Sequence, residues 1–424
     1  MIRRFLKDSR GAIAPLLALT IVPLLASAGV AIDISRINAA RTAMQTALDS
    51  TALMLSKTAA GQTSTELQTS ATKYFNALLT NNELKQTSVS ASYTSDAGSK
   101  VTLTASAVVK TDVLGILGYD QVPIKTTSTS TWGNTRLRVA LVLDNTGSMA
   151  QDGKMDALKT AAQNLLTQLK KAATNPEDVY VSIVPFNKDV NLNPNNAGES
   201  WLRWDLWEAE NGSCADSNRH SQSSCESHGG TWTPAAHSTW NGCITDRDQN
   251  FDTTNDAPLA GATLYPAEQY SSCPESSMGL SNDWTTLNAK ITAMQPEGNT
   301  NQAIGLQVGW QSLTASPFTV PAQDPNYNYS QVIILLTDGL NTQDRWYSNA
   351  SSIDAREQTT CNNIKSAGIT IYTVQVNTGG DPTSSLLQSC ASNANKFFLL
   401  TSATEIVTAF NQIGTALTNL RLAM

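Results

Sequence analysis

The chain has 424 residues, which exceeds what one ordinary compact core holds, so two or three domains with connecting segments are expected. Only 15% of the residues are charged, whereas a typical soluble domain has about 25%. The 35 acidic and 28 basic residues give a net charge of -7, which argues against a surface that binds nucleic acid.

The amino-terminal segment has the composition of a membrane span. Residues 11–32 contain no charged side chain and are long enough, as a helix, to cross a bilayer. The preceding residues 1–10 are basic, so the positive-inside rule keeps that end in the cytoplasm and places the rest outside. The alternative is a cleaved signal peptide, since Ala26-Ser27-Ala28 fits a signal peptidase site, although the apolar run is longer than the usual core of roughly 7–15 residues.

The cysteines all follow this segment, in the part of the chain expected to face an oxidising compartment. They are Cys214, Cys225, Cys243, Cys273, Cys361 and Cys390. Disulfides are therefore expected. Cys361 and Cys390 stand apart from the other four and are predicted to pair, whereas the pairing of the four stays open. No CxxC motif occurs in the sequence, which disfavours a zinc ribbon.

The next region changes its hydrophobic period. Apolar residues at helical spacing predict an amphipathic stalk helix over residues 33–61, continuous with the span. From Val101 to Val109 apolar and polar residues alternate, after a predicted turn at residues 96–99, which is typical of a half-buried strand in a hairpin. A third strand is predicted from Ile124 to Trp132. Residues 62–135 are therefore predicted to form a small α+β module.

Residues 136–420 alternate between apolar strands and amphipathic helices. The predicted strands are 137–143, 179–186, 332–336 and 369–376, and the predicted helices are 154–171, 287–294, 302–313, 353–367 and 403–417. This order predicts an α/β domain with a doubly wound, mostly parallel, Rossmann-type sheet covered by helices on both faces.

One long insertion, residues 189–283, interrupts this alternation. It is poor in aliphatic residues but rich in tryptophan, and it contains four of the cysteines. A disulfide-stapled excursion from the sheet is expected, because long structureless loops are uncommon in compact domains. Its tryptophans either fill the core of that excursion, which we favour, or form a recognition surface for glycan or protein.

Polar residues stand at the ends of the predicted parallel strands. Asp144, Thr146 and Ser148 follow the first strand, Asp338 follows the strand 332–336, and Thr300 opens a helix. Because ligands bind at the carboxyl edge of open α/β sheets, these residues are expected to converge. Carboxylate and hydroxyl oxygens without imidazole or thiolate are the ligands that Mg²⁺, Ca²⁺ or Mn²⁺ prefers.

This pattern resembles the metal-ion-dependent adhesion site of von Willebrand factor A domains, Asp-x-Ser-x-Ser followed by a distant Thr and a distant Asp. Thr146 stands where the family usually has Ser, so a hydroxyl is kept and a methyl is added. The resemblance covers residues 136–420. It implies a divalent ion held by Asp144, Thr146, Ser148, Thr300 and Asp338, with one coordination position left for a carboxylate of a partner protein.

Both ends of the chain resemble TadG-like proteins of the Flp, or tight-adherence, pilus assembly system. The residues are 10–15, 29–33 and 45–49 at one end, and Cys361, residues 365–374 and Cys390-Ala391 at the other. The resemblance implies a bacterial inner-membrane protein with its bulk in the periplasm and with pilin or pilus-assembly proteins as partners; whether it also reaches the cell surface stays open. Prepilin-type cleavage after Gly11 is not expected, since residues 12–19 contain no acidic residue.

Two other classes of function compete with metal-dependent adhesion. An enzyme is not expected, because His220, His228 and His237 lack an HExxH or CxxC context and no general base or nucleophile accompanies the oxygen cluster. A metal-free structural scaffold or stalk of the pilus machinery is the alternative that stays open. At the level of single residues, Thr146 and Ser148 could merely cap a helix while Asp338 makes a local turn.

Overall fold

The computed structural model describes residues 13–94, 99–132, 135–314, 316–325 and 327–422. The described residues divide into two compact units, the first up to residue 132 and the second from residue 135 onwards.

The first unit begins with one long helix, α1 (Ile13–Leu55), so the apolar segment and the predicted stalk are continuous. The stalk predicted over 33–61 is α-helical only as far as Leu55. Its part Leu19–Leu55 is long and apolar enough to cross a membrane, by length and composition. From Ile37 onwards one stripe of α1 is buried in a core with α2 (Ser64–Leu78) and the strands that follow. Helix α2 starts with a capping box, in which Thr63 and Glu66 satisfy each other's backbone N–H groups.

A three-stranded antiparallel sheet completes the first unit. Strands β1 (Leu84–Thr94), β2 (Ser99–Lys110) and β3 (Gln121–Trp132) pair in that order, and the short helix α3 (Val113–Ile116) connects β2 to β3. The predicted alternation is confirmed, because every second residue from Val101 to Val109 is buried. The predicted turn at 96–99 lies, apart from Ser99, outside the described residues.

The second unit alternates strands and helices as predicted. Its first part contains β4 (Thr135–Asp144), α4 (Lys154–Ala172), β5 (Val179–Phe186), β6 (Val190–Asn191), β7 (Leu202–Arg203), α5 (Asp205–Glu210), β8 (Gly212–Cys214), α6 (Gln222–Glu226), β9 (Trp232–Pro234), β10 (Cys243–Ile244) and β11 (Tyr265–Pro266). The second part contains β12 (Met278–Ser281), α7 (Trp284–Ala293), α8 (Gln302–Thr314), β13 (Asn328–Thr337), α9 (Ala350–Ser366), β14 (Thr370–Val376), α10 (Ser385–Cys390), β15 (Phe397–Leu400) and α11 (Thr404–Leu422).

The main sheet has the order β10-β6-β5-β4-β13-β14-β15, with β12 also paired to β5. Five neighbouring strands are parallel to one another: β5, β4, β13, β14 and β15. Three short strands pair antiparallel to their neighbours: β6 and β12 with β5, and β10 with β6. Helices α4, α7 and α11 cover one face and α8, α9 and α10 cover the other, each over its own hydrophobic core. This is the doubly wound, mostly parallel sheet that the alternation predicts.

The cysteines form three disulfides. Cys361 pairs with Cys390, as predicted, and this bond joins α9 to α10. The other two bonds join Cys214 to Cys225 and Cys243 to Cys273 within the insertion.

The insertion is less detached from the sheet than the sequence predicts. Strands β6 and β10 extend the main sheet. Trp201, Trp207 and Trp240 are buried in the same core as α8 and α9. The tryptophans therefore fill a core, as favoured, but that core is largely the second face of the main sheet rather than one of the insertion's own.

Candidate metal centre

The site lies at the carboxyl edge of the two central strands, β4 and β13. They are parallel neighbours, with Leu143 opposite Leu336. Asp144 is the last residue of β4, and Asp338 directly follows the last residue of β13. Both strands end in buried apolar runs that are in register. The polar residues that come next, Asp144 on one strand and Thr337 and Asp338 on the other, therefore lie side by side.

Asp144 is fully buried and its two carboxylate oxygens have different partners. Oδ1 accepts a hydrogen bond from the backbone N–H of Thr146 at 2.7 Å. Oδ2 accepts one from the Thr337 hydroxyl at 2.7 Å and a longer one from Asp338 N–H at 3.4 Å. Burial, together with the negative charge of Asp338, raises the pKa of Asp144 to about 6.

The hydroxyls of the first loop connect to the second carboxylate. Thr146 Oγ1 and Ser148 Oγ lie 3.0 Å apart, and Ser148 Oγ donates to Asp338 Oδ1 at 2.6 Å. Thr146 immediately precedes a short 3-10 helix, Gly147–Ala150, but its side chain makes no capping hydrogen bond there. Simple capping therefore does not describe the role of Thr146, since its hydroxyl points to the cluster.

The loop that contains Thr300 joins the first loop through the backbone. Gly147 N–H donates to Gly298 O at 3.0 Å, and Glu297 N–H donates to Asn145 O at 2.7 Å. Gly298 has a φ of +84°, a left-handed conformation that glycine adopts without strain. Thr300 itself is 4% exposed.

Four of the five predicted residues, Asp144, Thr146, Ser148 and Asp338, are thus linked directly to one another by hydrogen bonds. The link to Thr300 runs through the backbone contacts of its loop.

A second layer of polar residues holds the Thr300 loop. Thr300 N–H donates to Thr342 Oγ1 at 2.8 Å, and Gln302 N–H donates to Asn341 Oδ1 at 2.7 Å. Asn341 Nδ2 in turn donates to Glu357 Oε2 at 2.7 Å. Glu357 is fully buried on α9, and this burial raises its pKa to about 8.

Sequence reasoning missed one charged residue of the site, Lys154. Its ammonium group contacts Asp338 Oδ2, and the Lys154 side chain is 6% exposed while that of Asp338 is fully buried. The sequence does contain a signal that Lys154 is buried. Lys154 lies four residues before Leu158 and so falls on the apolar stripe of α4. A lysine on a buried stripe needs a partner of opposite charge.

The residues present fit a hard divalent cation. All five candidate ligands are oxygen donors, and the buried carboxylates of Asp144 and Asp338 outnumber the one ammonium that contacts them, that of Lys154. Among the described residues, Glu357, Cys361 and Cys390 form another cluster with ligand spacing. Its two cysteines are joined in a disulfide, so they offer no thiolate to a metal.

Two family models match the chain. Residues 11–57 match the Tad family of Flp pilus-assembly TadE/G-like proteins, and residues 266–412 match the von Willebrand factor type A domain. The resemblance to TadG-like proteins with a von Willebrand factor A domain is thereby confirmed. The part of the chain that matches the von Willebrand factor model includes Thr300 and Asp338. Asp144 precedes that part in sequence and lies on the neighbouring strand of the same sheet. A search of curated proteins found no significant match.

Several solved structures are distantly similar. The pilus adhesin SpaC from Lactobacillus rhamnosus GG has 14% identity and a TM-score of 0.40, over 80% of this chain and 34% of the adhesin. The vWF domain of the type V pili tip protein Mfa5 from Porphyromonas gingivalis has 12% identity and a TM-score of 0.39, over 68% of this chain and 97% of that domain. A mussel byssus protein, proximal thread matrix protein 1, with a zinc-occupied MIDAS motif has 13% identity and a TM-score of 0.35, over 68% and 47%.

The chain thus spans about a third of the length of the Lactobacillus adhesin. The sheet topology and the family model, rather than these distant similarities, establish the fold.

Proposed function

We propose that this protein is a membrane-anchored component of Flp, or tight-adherence, pilus assembly that binds protein partners through a divalent metal ion. The observation that carries the proposal is the convergence of oxygen donors from separate loops at one edge of the sheet. Asp144, Ser148 and Asp338 come from two strand ends more than 180 residues apart, yet they lie within one hydrogen-bonded cluster. Local capping does not require such a meeting.

The proposed ligands are Asp144, Thr146, Ser148, Thr300 and Asp338, and the ion is Mg²⁺ or Ca²⁺, with Mn²⁺ also suited to these oxygens. When bound, the ion supplies a positive charge with a coordination position for an acidic side chain of a pilin or pilus-assembly protein. The chain's own residues orient the donors: Thr337 and Thr146 fix the Asp144 carboxylate, and the Asn341–Thr342 segment fixes the Thr300 loop. The proposed role is binding rather than catalysis.

The proposed location is the bacterial inner membrane, with α1 crossing it once and the bulk of the chain in the periplasm. The apolar residues of α1 between Leu19 and Leu25 are exposed in the chain by itself, as a lipid-facing segment requires. The basic residues before the helix favour a cytoplasmic amino end. The three disulfides agree with an oxidising compartment on the other side.

The test is crosslinking in cells with and without divalent ion, followed by identification of the captured proteins. Wild-type protein is expected to capture a pilin or assembly protein in the presence of Mg²⁺ or Ca²⁺, and to lose it with EDTA. Asp144→Ala is expected to abolish that capture while the protein remains folded. Asp156→Ala is the matched control, because it removes an exposed carboxylate on the neighbouring helix. Capture that survives both EDTA and Asp144→Ala would refute the metal-dependent function.

A structural scaffold without metal is the second candidate, and the contact between Lys154 and Asp338 favours it. The lysine already neutralises one of the two buried carboxylates, so the cluster has a stabilising partner within the chain. A scaffold of this kind would bind its partners equally well with and without chelator. The same crosslinking experiment therefore separates the two functions.

A further inference from the structure

The connection between β2 and β3, residues 111–120, exposes large apolar side chains. Ile116 is 83% exposed, Leu117 is 63% exposed and Tyr119 is 65% exposed. Ile116 is the most exposed large apolar side chain among the described residues whose burial is known. Single exposed apolar residues are ordinary, but three within four positions of one short connection form a patch that calls for a partner.

Hydrogen bonds and an ion pair fix this connection to helix α1. The buried carboxylate of Asp33 accepts hydrogen bonds from the backbone N–H groups of Val113 and Leu114, both at 2.8 Å, and of Asp112 at 3.2 Å. Arg36 Nη1 donates to Asp112 Oδ2 at 2.5 Å. The connection therefore keeps one position along α1.

Its position along α1 is at the outer end of the apolar segment. Gly29 packs directly against the Val113 side chain, so closely that a Cβ at residue 29 would overlap it. Gly29 lies three residues before the end of the 11–32 run, which corresponds to about 4.5 Å of helix. Asp33 and Arg36, which bind residues 112–114 of the connection, are the first charged residues after that run. The connection is thus attached to α1 at the predicted boundary between membrane and water.

The direction of the sheet agrees with this position. Gln45 lies twelve residues after Asp33 on α1, further from the apolar segment. It lies beside β3, where its Nε2 contacts Thr127 O at 3.4 Å. Moving from residue 45 back to residue 33 of α1 covers about 18 Å, and moving from Thr127 to the start of β3 covers a similar distance. The strands therefore run alongside α1, and the β2–β3 connection is the end of the unit nearest the apolar segment.

We propose that the β2–β3 connection is a second membrane contact, with Ile116 and Leu117 in the outer part of the bilayer and Tyr119 at its interface. This inference rests on the proposed membrane anchoring of α1. A lipid surface is favoured over a protein partner because the patch continues the exposed apolar surface of α1, where Leu24 and Leu25 are each 67% exposed and Ile32 is 60% exposed. Tyrosine is also a preferred residue at membrane interfaces.

The experiment places an environment-sensitive NBD label in the full chain, reconstituted in phosphatidylcholine–phosphatidylglycerol vesicles, and measures quenching by spin-labelled lipid. Labels are attached to single cysteines introduced as Leu117→Cys, Leu25→Cys and Thr65→Cys, with the native cysteines held in disulfides. Leu25→Cys reports the anchor. Thr65→Cys is the water-exposed control, on α2 beyond the far end of α1.

We expect lipid spin labels near the headgroup to cause a clear loss of emission at position 117 and none at position 65, and aqueous iodide to quench position 117 less than position 65. Quenching at position 25 without quenching at position 117 would overturn this inference and leave the anchor intact. Absence of quenching at position 25 would overturn both. A blue-shifted emission at position 117 that lipid labels do not quench would assign the patch to a protein contact instead, and would also overturn the inference.

Discussion

Lys154 offers the sharpest test of how the oxygen cluster is held. In the structure its ammonium is paired with Asp338, while Asp144 and Asp338 are buried beside each other. Lys154→Met keeps most of the side-chain volume and removes the positive charge. Without an ion, the variant is left with two buried carboxylates and no cation from Lys154 to neutralise them.

The magnitude follows from the burial of the pair. Removing one partner of a buried ion pair costs about 3–5 kcal/mol, and no discount for solvent applies because Lys154 and Asp338 are both buried. At about 2–4 °C per kcal/mol for a domain of this size class, the melting temperature should fall by at least about 6 °C. A divalent ion placed between the carboxylates would replace the lost charge. At an ion concentration about 100 times its Kd, binding stabilises the folded state by about 2.7 kcal/mol.

The assay is thermal unfolding of the full chain in detergent, followed by tryptophan emission, in EDTA and in excess Mg²⁺ or Ca²⁺. This emission reports chiefly the second unit, because Trp132 alone of the nine tryptophans lies in the first unit. We expect Lys154→Met to lower the melting temperature strongly in EDTA and much less in the presence of the ion. Lys170→Met, at an exposed position on the same helix, serves as the control. An equal loss of stability with and without the ion would refute the reasoning that metal and lysine neutralise the same carboxylates.

Two further predictions concern the packing around the site. Burial raises the pKa of Glu357 to about 8, so the folded chain keeps a proton that the unfolded chain releases near its ordinary pKa of 4.5. The free energy of unfolding should therefore fall as pH rises from 4.5 to about 8, by up to about 1.4 kcal/mol per pH unit from this group. Glu357→Gln should remove that contribution to the slope in urea titrations at a series of pH values. Gly309→Ala should destabilise, because its Cβ would meet Val142 Cγ2 at 2.5 Å. Overpacking costs about 1–3 kcal/mol, which exceeds the gain of up to about 1 kcal/mol in helix propensity. Gly198→Ala is the control: a Cβ there has open space around it, so the urea midpoint should stay unchanged.

The fold of the second unit could be predicted because its central elements carry strong local signals. The apolar runs of β4 and β13 are each buried on both faces, which is the pattern of parallel strands covered by helices. The helices α4 and α8 begin where the periodicity places their first residues, Lys154 and Gln302. Since Asp144 ends β4 and Asp338 directly follows β13, the meeting of these two residues follows from the strand order.

The elements that escaped prediction depend on contacts distant in sequence. Strands β6 and β10 have two residues each, and only their pairing with each other and with β5 makes them part of the sheet. Strand β15 has four residues, and three of them are not fully buried, so it carries little hydrophobic pattern. The partner of Lys154 was hidden for the same reason, because Asp338 lies 184 positions away in sequence.

The hydrogen bonds around the site indicate that its loops do not need an ion to keep their places. The Thr300 loop is tied to the first loop by backbone bonds at Gly147 and Asn145, and to the segment after β13 through Asn341. Asn341 is in turn held by Glu357 of α9, a helix that the Cys361–Cys390 disulfide joins to α10. None of these contacts involves an oxygen of Asp144. Removal of a bound ion should therefore alter the charge of the site far more than the position of the Thr300 loop, and a loss of partner binding in EDTA would report the chemistry of the site rather than collapse of the fold.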